Sequence, residues 1–451
     1  MPSTQNTSAR FVAITTLCKL EQTKKPVNKL FASVLATLPL KSNDRQLASN
    51  IIFGLLRNRE TLDTMLHHLC NKPLKKFDPF VLEALRVGLF QIMYLDRIPE
   101  SAAVNESVKA VQAAHLPKRL HGFVNAVLRN SIRKKKELLK LTENPARPIR
   151  NHPKWLYERW RKQFGEQEAD RICLENGRQT TLCLQINSIS TDPDTFQRLL
   201  HSENITCHRG RHCTNSIILE DLHTKVSDLP GYQEGWFQVQ DQGAQLLTQL
   251  MTPLVPGGTY LDACAGVGGK TSLLIQLAHS VQARVYAVEP DQSRQKLFRE
   301  NMARLHQGQV TQLFSETLQN FAVSSDIQFD GILLDAPCSG TGVIRRHPDI
   351  RWNRRPEDLH RYQKIQLELL YTAATLLKPN GRLVYATCSL EDLENQQVIR
   401  SFLADNSNFT LDDCSPVLPE SARPLVDKHC FKPLPQPEID GFFGARLTKT
   451  G

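Results

Sequence analysis

The first third of the chain repeats apolar residues every three or four positions, with polar residues between them. This spacing places the apolar side chains on one face of a helix, and it runs through the segments 8–22, 43–70, 79–95, 99–114 and 121–136. Pro79 and Pro99 stand at the start of two of these segments, where a helix tolerates proline. The pattern predicts an all-α helical bundle over residues 1–140.

The spacing changes between residues 141 and 235. Residues 152–165 again have helical spacing, whereas apolar and polar residues alternate as in strands over 182–188 and 215–222. We therefore predict a small α+β domain that links the helical bundle to the rest of the chain.

From residue 236 to residue 451, strand-like runs alternate with helical ones. The strand-like runs are TYLDAC, ARVYAVEP, VTQLF, FDGILLDAP and GRLVYATCS. Alternation of this kind is typical of a doubly wound, mostly parallel sheet with helices on both faces. The chain is thus predicted to be multidomain, with a Rossmann-like α/β domain as its last part.

The charge is divided unequally along the chain. Residues 1–150 hold 25 Lys and Arg against 11 Asp and Glu, a net charge of +14, and the remaining 301 residues have a net charge of −4. A basic block on a slightly acidic body is typical of a polyanion-binding module, so we predict that the helical domain binds nucleic acid. The alternative is a helical domain whose basic surface has no such role.

Hydropathy and cysteine usage indicate the compartment. The sequence has no run of eighteen apolar residues, and its N-terminus lacks the apolar core of a secretory signal. The eleven cysteines are scattered without a CxxC pair, which favours a reducing cytoplasm. Cys207, His208, His212 and Cys213 could form a metal site, but their spacing matches no usual ligand pattern. We expect a cytoplasmic monomer that uses neither a metal nor a membrane.

A glycine-rich turn, in the sequence LDACAGVGGKT, follows the first strand-like run of the last domain. Glycines let backbone amides approach a ligand closely, and the next helix begins directly after them. Glu289 lies twenty residues after Gly269, where a carboxylate can bind ribose hydroxyls. The candidate cofactor-binding residues are Cys264, Ala265, Gly266, Val267, Gly268, Gly269, Lys270, Glu289, Glu316 and Asp335.

This turn is typical of an adenosine-type cofactor, whether a nicotinamide dinucleotide or S-adenosylmethionine. The GGKT sequence also suggests a P-loop, which the spacing disfavours. A P-loop requires glycine five residues before the last glycine of its GKT motif, and Cys264 stands there.

Cys338 and Cys388 each follow an apolar, strand-like run, and Asp335 lies three residues before Cys338. The carboxyl ends of parallel strands meet at the sheet edge where ligands bind. Two thiols and a carboxylate in these positions suit methylation of carbon 5 of cytosine, in which a thiolate adds to carbon 6 and a second group removes the carbon 5 proton. Each cysteine could instead be a buried packing residue.

Three motifs, DACAGVGGKT, DAPCSGTGVIRRHPDIRW and YATCSL, resemble those of the RNA cytosine-5 methyltransferases. The resemblance implies S-adenosylmethionine as cofactor, Cys388 as the nucleophile and Cys338 as the group that assists product release. Asp335 could cap a turn, but its position between the cofactor and base pockets favours a bond to the cytosine edge. GWFQVQDQGAQL and DGFF resemble two further segments of the same family.

The N-terminal segments NDRQLASNIIFGLLR, AVNESVKA and HGFVNAVLRN resemble the antitermination factor NusB. A NusB-like domain fused to such a methyltransferase is the architecture of bacterial 16S ribosomal RNA cytosine-5 methyltransferases. This implies small-subunit ribosomal RNA as the substrate and RNA contacts from the α+β domain. Two alternatives stay open: a non-catalytic RNA-binding or antitermination factor, and a nicotinamide-dependent oxidoreductase.

Three positions depart from the pattern of the family. Val267 replaces the proline of the cofactor turn, Glu316 replaces an aspartate, and Gln185 replaces an arginine that would contact RNA. The first two are expected to alter cofactor affinity, and the third to remove one RNA contact.

A basic stretch, VIRRHPDIRWNRRPED, follows the PCSG motif directly. Arginines beside an active site can clamp RNA phosphates, and His347 or Trp352 could stack on an unpaired base. We expect RNA contacts from Arg345, Arg346, Arg351, Arg354 and Arg355. The alternative is a set of internal salt bridges to Asp349, Glu357 and Asp358.

Overall fold

The computed structural model describes residues 8–143, 148–220, 224–308 and 311–451. These residues form two compact units. The first holds the described residues up to Arg178 together with His347–Arg354, and the second holds Gln179–Arg346 and Arg355–Gly451. An eight-residue segment from the sequence of the last predicted domain is therefore part of the first unit. The domain limits at residues 140 and 235 stay predictions.

The first unit is helical. Its longer elements are α1 Ala9–Thr23, α2 Val27–Thr37, α3 Ser42–Arg57, α4 Arg59–Leu69, α5 Pro79–Tyr94, α6 Glu100–Ala113, α7 Lys118–Arg133, α8 Lys135–Thr142, α9 Lys154–Phe164 and α10 Glu166–Gly177. The side chain of Ser8 caps α1 by accepting a hydrogen bond from the Phe11 N–H, and Asp78 caps α5 directly before its first residue, Pro79. This confirms the predicted helical bundle.

One apolar core holds the bundle together, and α5 lies within it. Leu85 and Leu89 of α5 are fully buried, and Gly88 lies between them in the sequence. A Cβ atom at Gly88 would lie 2.4 Å from Leu128 Cδ1, so the glycine lets α7 approach α5 closely. Trp352, from the inserted segment, packs against the same core.

The second unit contains a small antiparallel sheet. Its strands are β1 Leu182–Ile186, β2 Cys207–Arg209, β3 Ser216–Leu219 and β4 Phe237–Val239, in the order β2-β3-β1-β4, with α11 Pro193–Ser202 between β1 and β2 in sequence. Phe196 of α11 stacks on Phe237 of β4, with ring centroids 5.2 Å apart. This confirms the predicted α+β part, and α12 Gln242–Gln249 leads from it to the larger sheet.

The larger part of the second unit is a mixed sheet with helices between its strands. Its elements are β5 Thr259–Asp262, α13 Gly269–His279, β6 Arg284–Val288, α14 Gln292–Arg304, β7 Thr311–Phe314, α15 Leu318–Ser324, β8 Phe329–Asp335, α17 Pro356–Thr375, β9 Leu377–Thr387, α18 Gln396–Asp405, β10 Phe409–Asp412, β11 Val426–Asp427, β12 Cys430–Phe431 and β13 Phe443–Lys449. The short helix α16, Ile350–Asn353, belongs to the first unit. Val310, predicted to begin a strand, lies outside the described residues.

The strand order of this sheet is β11-β12-β13-β9-β8-β5-β6-β7, with β10 beside β13. Strands β5 to β9 are parallel to one another, and β13 is antiparallel to β9. The run ILLD of β8 is apolar without alternation because helices cover both faces of a parallel sheet. The chain passes from β5 to β6 on one side, whereas β8 lies on the other, and ligands bind at such a switch point. This confirms the predicted doubly wound, Rossmann-like sheet.

Among the helices that the structure describes, none is long and apolar enough to cross a membrane.

Candidate active site

The two candidate cysteines lie side by side at the carboxyl end of the sheet. β8 ends at Asp335 and β9 ends at Thr387, and because these strands are parallel neighbours, the loops after them leave from the same edge. The sulfur atoms of Cys338 and Cys388 are 3.3 Å apart, and both residues are partly exposed. The fold thus brings together two thiols that are fifty residues apart in the sequence.

Asp335 forms an ion pair beside the thiols. The Nζ atom of Lys270, the second residue of α13, lies 2.6 Å from Asp335 Oδ2. Burial would lower the pKa of Lys270, but Asp335 and, to a smaller extent, Cys388 raise it above its ordinary value. Lys270 therefore keeps its positive charge beside Asp335 and near the Cys388 sulfur.

The close contact of the two sulfur atoms affects the titration of Cys338. The contact with the Cys388 sulfur, together with burial, raises the pKa of Cys338 well above its ordinary value. Cys338 is therefore held as a protonated thiol while the two sulfur atoms are in contact.

The glycine turn has the geometry of a ligand-binding loop. Gly266 and Gly268 have φ angles of 58° and 89°, which favour glycine. A Cβ at Gly268 would lie 2.8 Å from Met302 Cε, whereas a Cβ at Gly266 would meet no atom within 4 Å. Gly268 is thus needed for packing against α14, and the space over Gly266 is open. The buried carboxylate of Glu289 accepts a hydrogen bond from Gly266 N–H at 2.9 Å.

Other cofactor candidates contribute their backbone to this turn. Ala265 N–H donates to Val288 O at 3.0 Å, and the carbonyl of Gly269 accepts a hydrogen bond from Gln238 Nε2 at 2.8 Å. Burial raises the pKa of the Cys264 thiol, which therefore stays protonated and unreactive.

Val267 and Glu316 differ from the pattern of the family, and the structure shows what each residue contacts. The side chain of Val267 is 42% exposed, while its carbonyl accepts a hydrogen bond from Asn301 Nδ2 at 2.9 Å. Asn301 thus holds the turn at the position where the family has proline. Glu316 follows β7, two strands from the turn, and its carboxylate lies 3.5 Å from Ser324 Oγ.

Asp262, the last residue of β5, was not among the candidate residues predicted from the sequence. Its side chain is 1% exposed, and its Oδ2 accepts a hydrogen bond from Thr271 Oγ1 at 2.6 Å. Burial raises the pKa of Asp262 to about 6, and its Oδ1 makes no hydrogen bond of good geometry with any described residue. A buried acceptor without a donor, together with the open turn and the acids at the strand ends, fits an adenosine cofactor that carries an ammonium group. The signal in the sequence was an acid closing an apolar run directly before the turn.

Arg345 and Arg346 were expected to contact RNA, but both form ion pairs with carboxylates of the protein. Arg345 is 1% exposed, and its Nε lies 3.0 Å from Asp440 Oδ1. Arg346 forms ion pairs with both Asp440 and Asp241. The expectation is wrong for Arg345 because its guanidinium is buried. The acids come from the GWFQVQDQ and DGFF segments, so the two arginines join three motifs that are far apart in sequence.

Arg351 and Trp352 are also used within the protein, in the first unit. Arg351 is fully buried, and burial lowers its pKa to about 9. Its guanidinium donates hydrogen bonds to the carbonyls of Asn151 and Asn176, at 3.1 and 2.7 Å. Trp352 Nε1 donates to Leu56 O at 2.8 Å. The expected RNA contact of Arg351 is wrong, and the Trp352 indole is partly buried against the helical core.

Asp349 was one of the acids expected under the alternative that the basic stretch forms internal salt bridges. Its carboxylate does act within the protein, because it accepts a hydrogen bond from the N–H of Val27.

Gln185, the third departure from the family pattern, is fully buried, and its amide bonds to Gln276 at 3.0 Å and to Gln238 at 3.0 Å. It therefore links β1 to β4 and α13 and does not face solvent.

Over the described part of the chain, no group of three or more His, Cys, Asp or Glu side chains is arranged to hold a metal ion. The thiol of Cys213, from the possible metal cluster, lies 3.5 Å from the carbonyl of Gln242.

Three protein families match successive parts of the chain. The NusB family matches residues 7–133, the ferredoxin-like domain of RsmF/B-like methyltransferases matches residues 152–225, and the 16S rRNA methyltransferase RsmB/F matches residues 249–448. The probable ribosomal RNA small subunit methyltransferase B of Bacillus subtilis is 33% identical, over 99% of this chain and 100% of the relative.

Solved structures show the same fold. A crystal structure of the protein PH0851 has a TM-score of 0.77 at 23% identity and covers 98% of each chain. A methyltransferase homologue from Pyrococcus horikoshii has a TM-score of 0.56 at 28% identity, over 66% of this chain and 96% of its own.

Proposed function

Because this chain belongs to the family of ribosomal RNA small subunit methyltransferases B, we propose that it methylates carbon 5 of a cytosine in small-subunit ribosomal RNA through a covalent bond to Cys388. Members of this family use S-adenosylmethionine, and the chain is an S-adenosylmethionine-dependent methyltransferase. The observation that carries the proposal is the 3.3 Å separation of the two sulfur atoms beside the Lys270–Asp335 ion pair. Methylation of an exocyclic amine or a hydroxyl has no use for such a pair of thiols.

Cys388 begins the reaction. Its thiolate forms a bond to carbon 6 of the cytosine, and the electron pair of the 5,6 double bond makes carbon 5 nucleophilic. Asp335, three residues before Cys338 in the neighbouring loop, bonds the polar edge of the base and aligns the ring. When bound, S-adenosylmethionine supplies the electrophilic methyl group that carbon 5 takes up. The target base must be unstacked to reach the thiols.

Cys338 ends the reaction. It removes the proton from carbon 5, the 5,6 double bond forms again, and the bond between Cys388 and carbon 6 breaks to return the thiolate. Cys338 is protonated at rest because its pKa is raised by the Cys388 sulfur and by burial. Once Cys388 has become a thioether, its contact no longer raises this pKa, so Cys338 releases its proton to solvent and the resulting thiolate is free to accept the carbon 5 proton.

The residues that would hold S-adenosylmethionine lie at the switch point of the sheet. We assign the backbone of residues 264–269 to the face of the cofactor, and Glu289 and Glu316 to its hydroxyl and amino groups. Asp262, whose Oδ1 is buried without a donor, suits the ammonium group of the methionine part.

The test is transfer of a labelled methyl group to unmodified small-subunit ribosomal RNA, followed by digestion to nucleosides. We expect labelled 5-methylcytidine with the wild-type protein. Cys388→Ala should abolish both methylation and the protein–RNA adduct seen on denaturing gels, and Cys338→Ala should accumulate the adduct because it forms but does not resolve.

Different outcomes separate the alternatives. Label in a different nucleoside would refute the carbon 5 assignment, and the adduct in Cys388→Ala but not in Cys338→Ala would reverse the two roles. The non-catalytic RNA-binding factor predicts no incorporation by the wild-type protein. Cys414→Ala, which removes a fully buried thiol elsewhere in the second unit, is the control.

A further inference from the structure

The serines that follow the two cysteines bind one carboxylate. Glu394 Oε1 accepts a hydrogen bond from the N–H of Ser339 at 2.8 Å, and Oε2 accepts one from the Ser389 hydroxyl at 2.5 Å. The Ser339 hydroxyl also donates to Oε2, and the two serine oxygens lie 3.1 Å apart. A single side chain is therefore hydrogen-bonded to the residue next to each thiol.

Glu394 is held deep in the protein. It is fully buried, and no ion pair within the described part of the chain involves it. Its Oε1 also accepts a hydrogen bond from Gln366 Nε2 at 3.2 Å, and that amide donates to the carbonyl of Pro337 at 3.0 Å as well. The backbone carbonyl of Glu394 accepts a hydrogen bond from the Tyr385 hydroxyl of β9 at 2.6 Å. The carboxylate thus has a fixed position relative to both loops.

We propose that Glu394 is a positioning residue that holds the loops of Cys338 and Cys388 in the register at which their sulfur atoms meet. Each loop leaves the sheet on its own strand, and the strand pairing of β8 and β9 ends at Asp335 and Ala386. Beyond that point Glu394 bonds to both loops. A shift of either loop by about 1 Å is enough to lower a reaction rate about 100-fold when it misplaces the reacting groups.

Formation of a disulfide between the two thiols measures this register without any substrate. An azodicarboxamide oxidant takes two hydrogen atoms from the thiol pair, so that one S–S bond forms and the oxidant becomes a hydrazine. The rate depends on how often the sulfur atoms approach each other in bonding geometry. The Cys338–Cys388 peptide pair is quantified by mass spectrometry in the full-length protein, with neither RNA nor methyl donor present.

For Glu394→Ala we expect disulfide formation at least about tenfold slower, and single-turnover methyl transfer slower by up to about 100-fold, with KM for RNA within about twofold of wild type. Glu394→Gln should restore most of both rates, because its carbonyl accepts from Ser339 N–H and its amide donates to the hydroxyls. Asp330→Ala is the matched control, since this carboxylate is anchored by Thr259 N–H and Lys378 at the other end of β8.

The inference rests on the proposed function only for the methyl-transfer rate. If the wild-type protein methylated no cytosine, the disulfide rates would still test Glu394. A wild-type disulfide rate in Glu394→Ala, or an equal loss in Asp330→Ala, would overturn the proposal. If Glu394→Ala does not fold, the test uses Ser389→Ala. A severalfold slower disulfide rate in this variant supports Glu394 as the positioning residue, and an unchanged rate refutes that role.

Discussion

Two segments of this chain, residues 345–355 and the helices α7 and α8, are both rich in basic residues but differ in what their side chains contact. In the stretch 345–355, Arg345 and Arg351 are buried and bind acids or carbonyl groups of the protein. On α7 and α8, four basic side chains at spacings of four, three and four residues are all exposed: Arg129, Arg133, Lys136 and Lys140. Arg129, Arg133, Lys136 and Lys140 are therefore available to a polyanion, whereas Arg345 and Arg351 are not.

The difference shows that proximity to an active site does not by itself make arginine a substrate contact. Arg345, Arg346 and Arg351 join distant segments of the protein, and an arginine can do so because its planar guanidinium donates several hydrogen bonds at once. The exposed cations of the helical unit have the position that electrostatic binding of RNA phosphates requires. We propose that these cations are the RNA-binding part of this unit.

The largest effect is expected from Arg346→Ala. This change leaves the buried carboxylate of Asp241 without its cation and weakens the pairing of Asp440, so the free energy of unfolding of the second unit should fall by about 3–5 kcal/mol. Urea denaturation measures this loss. Arg133→Ala, at an exposed site, is the control and should change stability by less than about 0.5 kcal/mol. A small stability loss together with a lower salt dependence of RNA binding would make Arg346 a phosphate contact after all.

The next effect concerns the exposed stripe. Replacing Arg129, Arg133, Lys136 and Lys140 with glutamine should weaken binding of small-subunit ribosomal RNA about 100-fold at low salt. The slope of log affinity against log salt should fall by about 3, since each lost phosphate contact removes about 0.7 for single-stranded RNA. The folded stability should stay unchanged, which thermal unfolding checks. Equal affinity and slope in the variant would leave the helical unit with a role other than RNA binding.

The smallest effect is expected from Trp352→Phe. The ring still fills the helical core, and only the hydrogen bond from Nε1 to Leu56 O is lost, so the first unit should lose about 1 kcal/mol of unfolding free energy. RNA affinity should not change, because the indole packs against the helical core and donates its hydrogen bond within the unit. The opposite result would be a loss of RNA affinity that is small in Trp352→Phe and larger in Trp352→Ala, with the free energy of unfolding unchanged. That result would show that a base stacks on Trp352.

Much of the fold follows from local patterns. The helical bundle, the α+β part and the doubly wound sheet were all predictable, because the period of apolar residues depends on which face of each element is buried. The glycine turn and the positions of Cys338 and Cys388 at strand ends were likewise visible, since a turn and a strand end are local features.

The uses of charged residues were not predictable in this way. Glu394 lies in an acidic run with Glu391 and Asp392, and the sequence contains no signal that singles it out. Its role depends on Ser339, fifty-five residues away. Asp262 and Asp241 became important for the same reason, because burial and a distant partner decide what a carboxylate does.

The sequence by itself determined which elements form, which residues carry thiols and carboxylates, and to which family the chain belongs. Only the tertiary structure decided that the two sulfur atoms lie 3.3 Å apart, that one buried carboxylate bonds both cysteine loops, and that Arg345 and Arg351 are buried. The physical reason is that the period of a helix or strand is a local property, whereas the partner of a charged side chain is chosen by packing between segments that are distant in the chain.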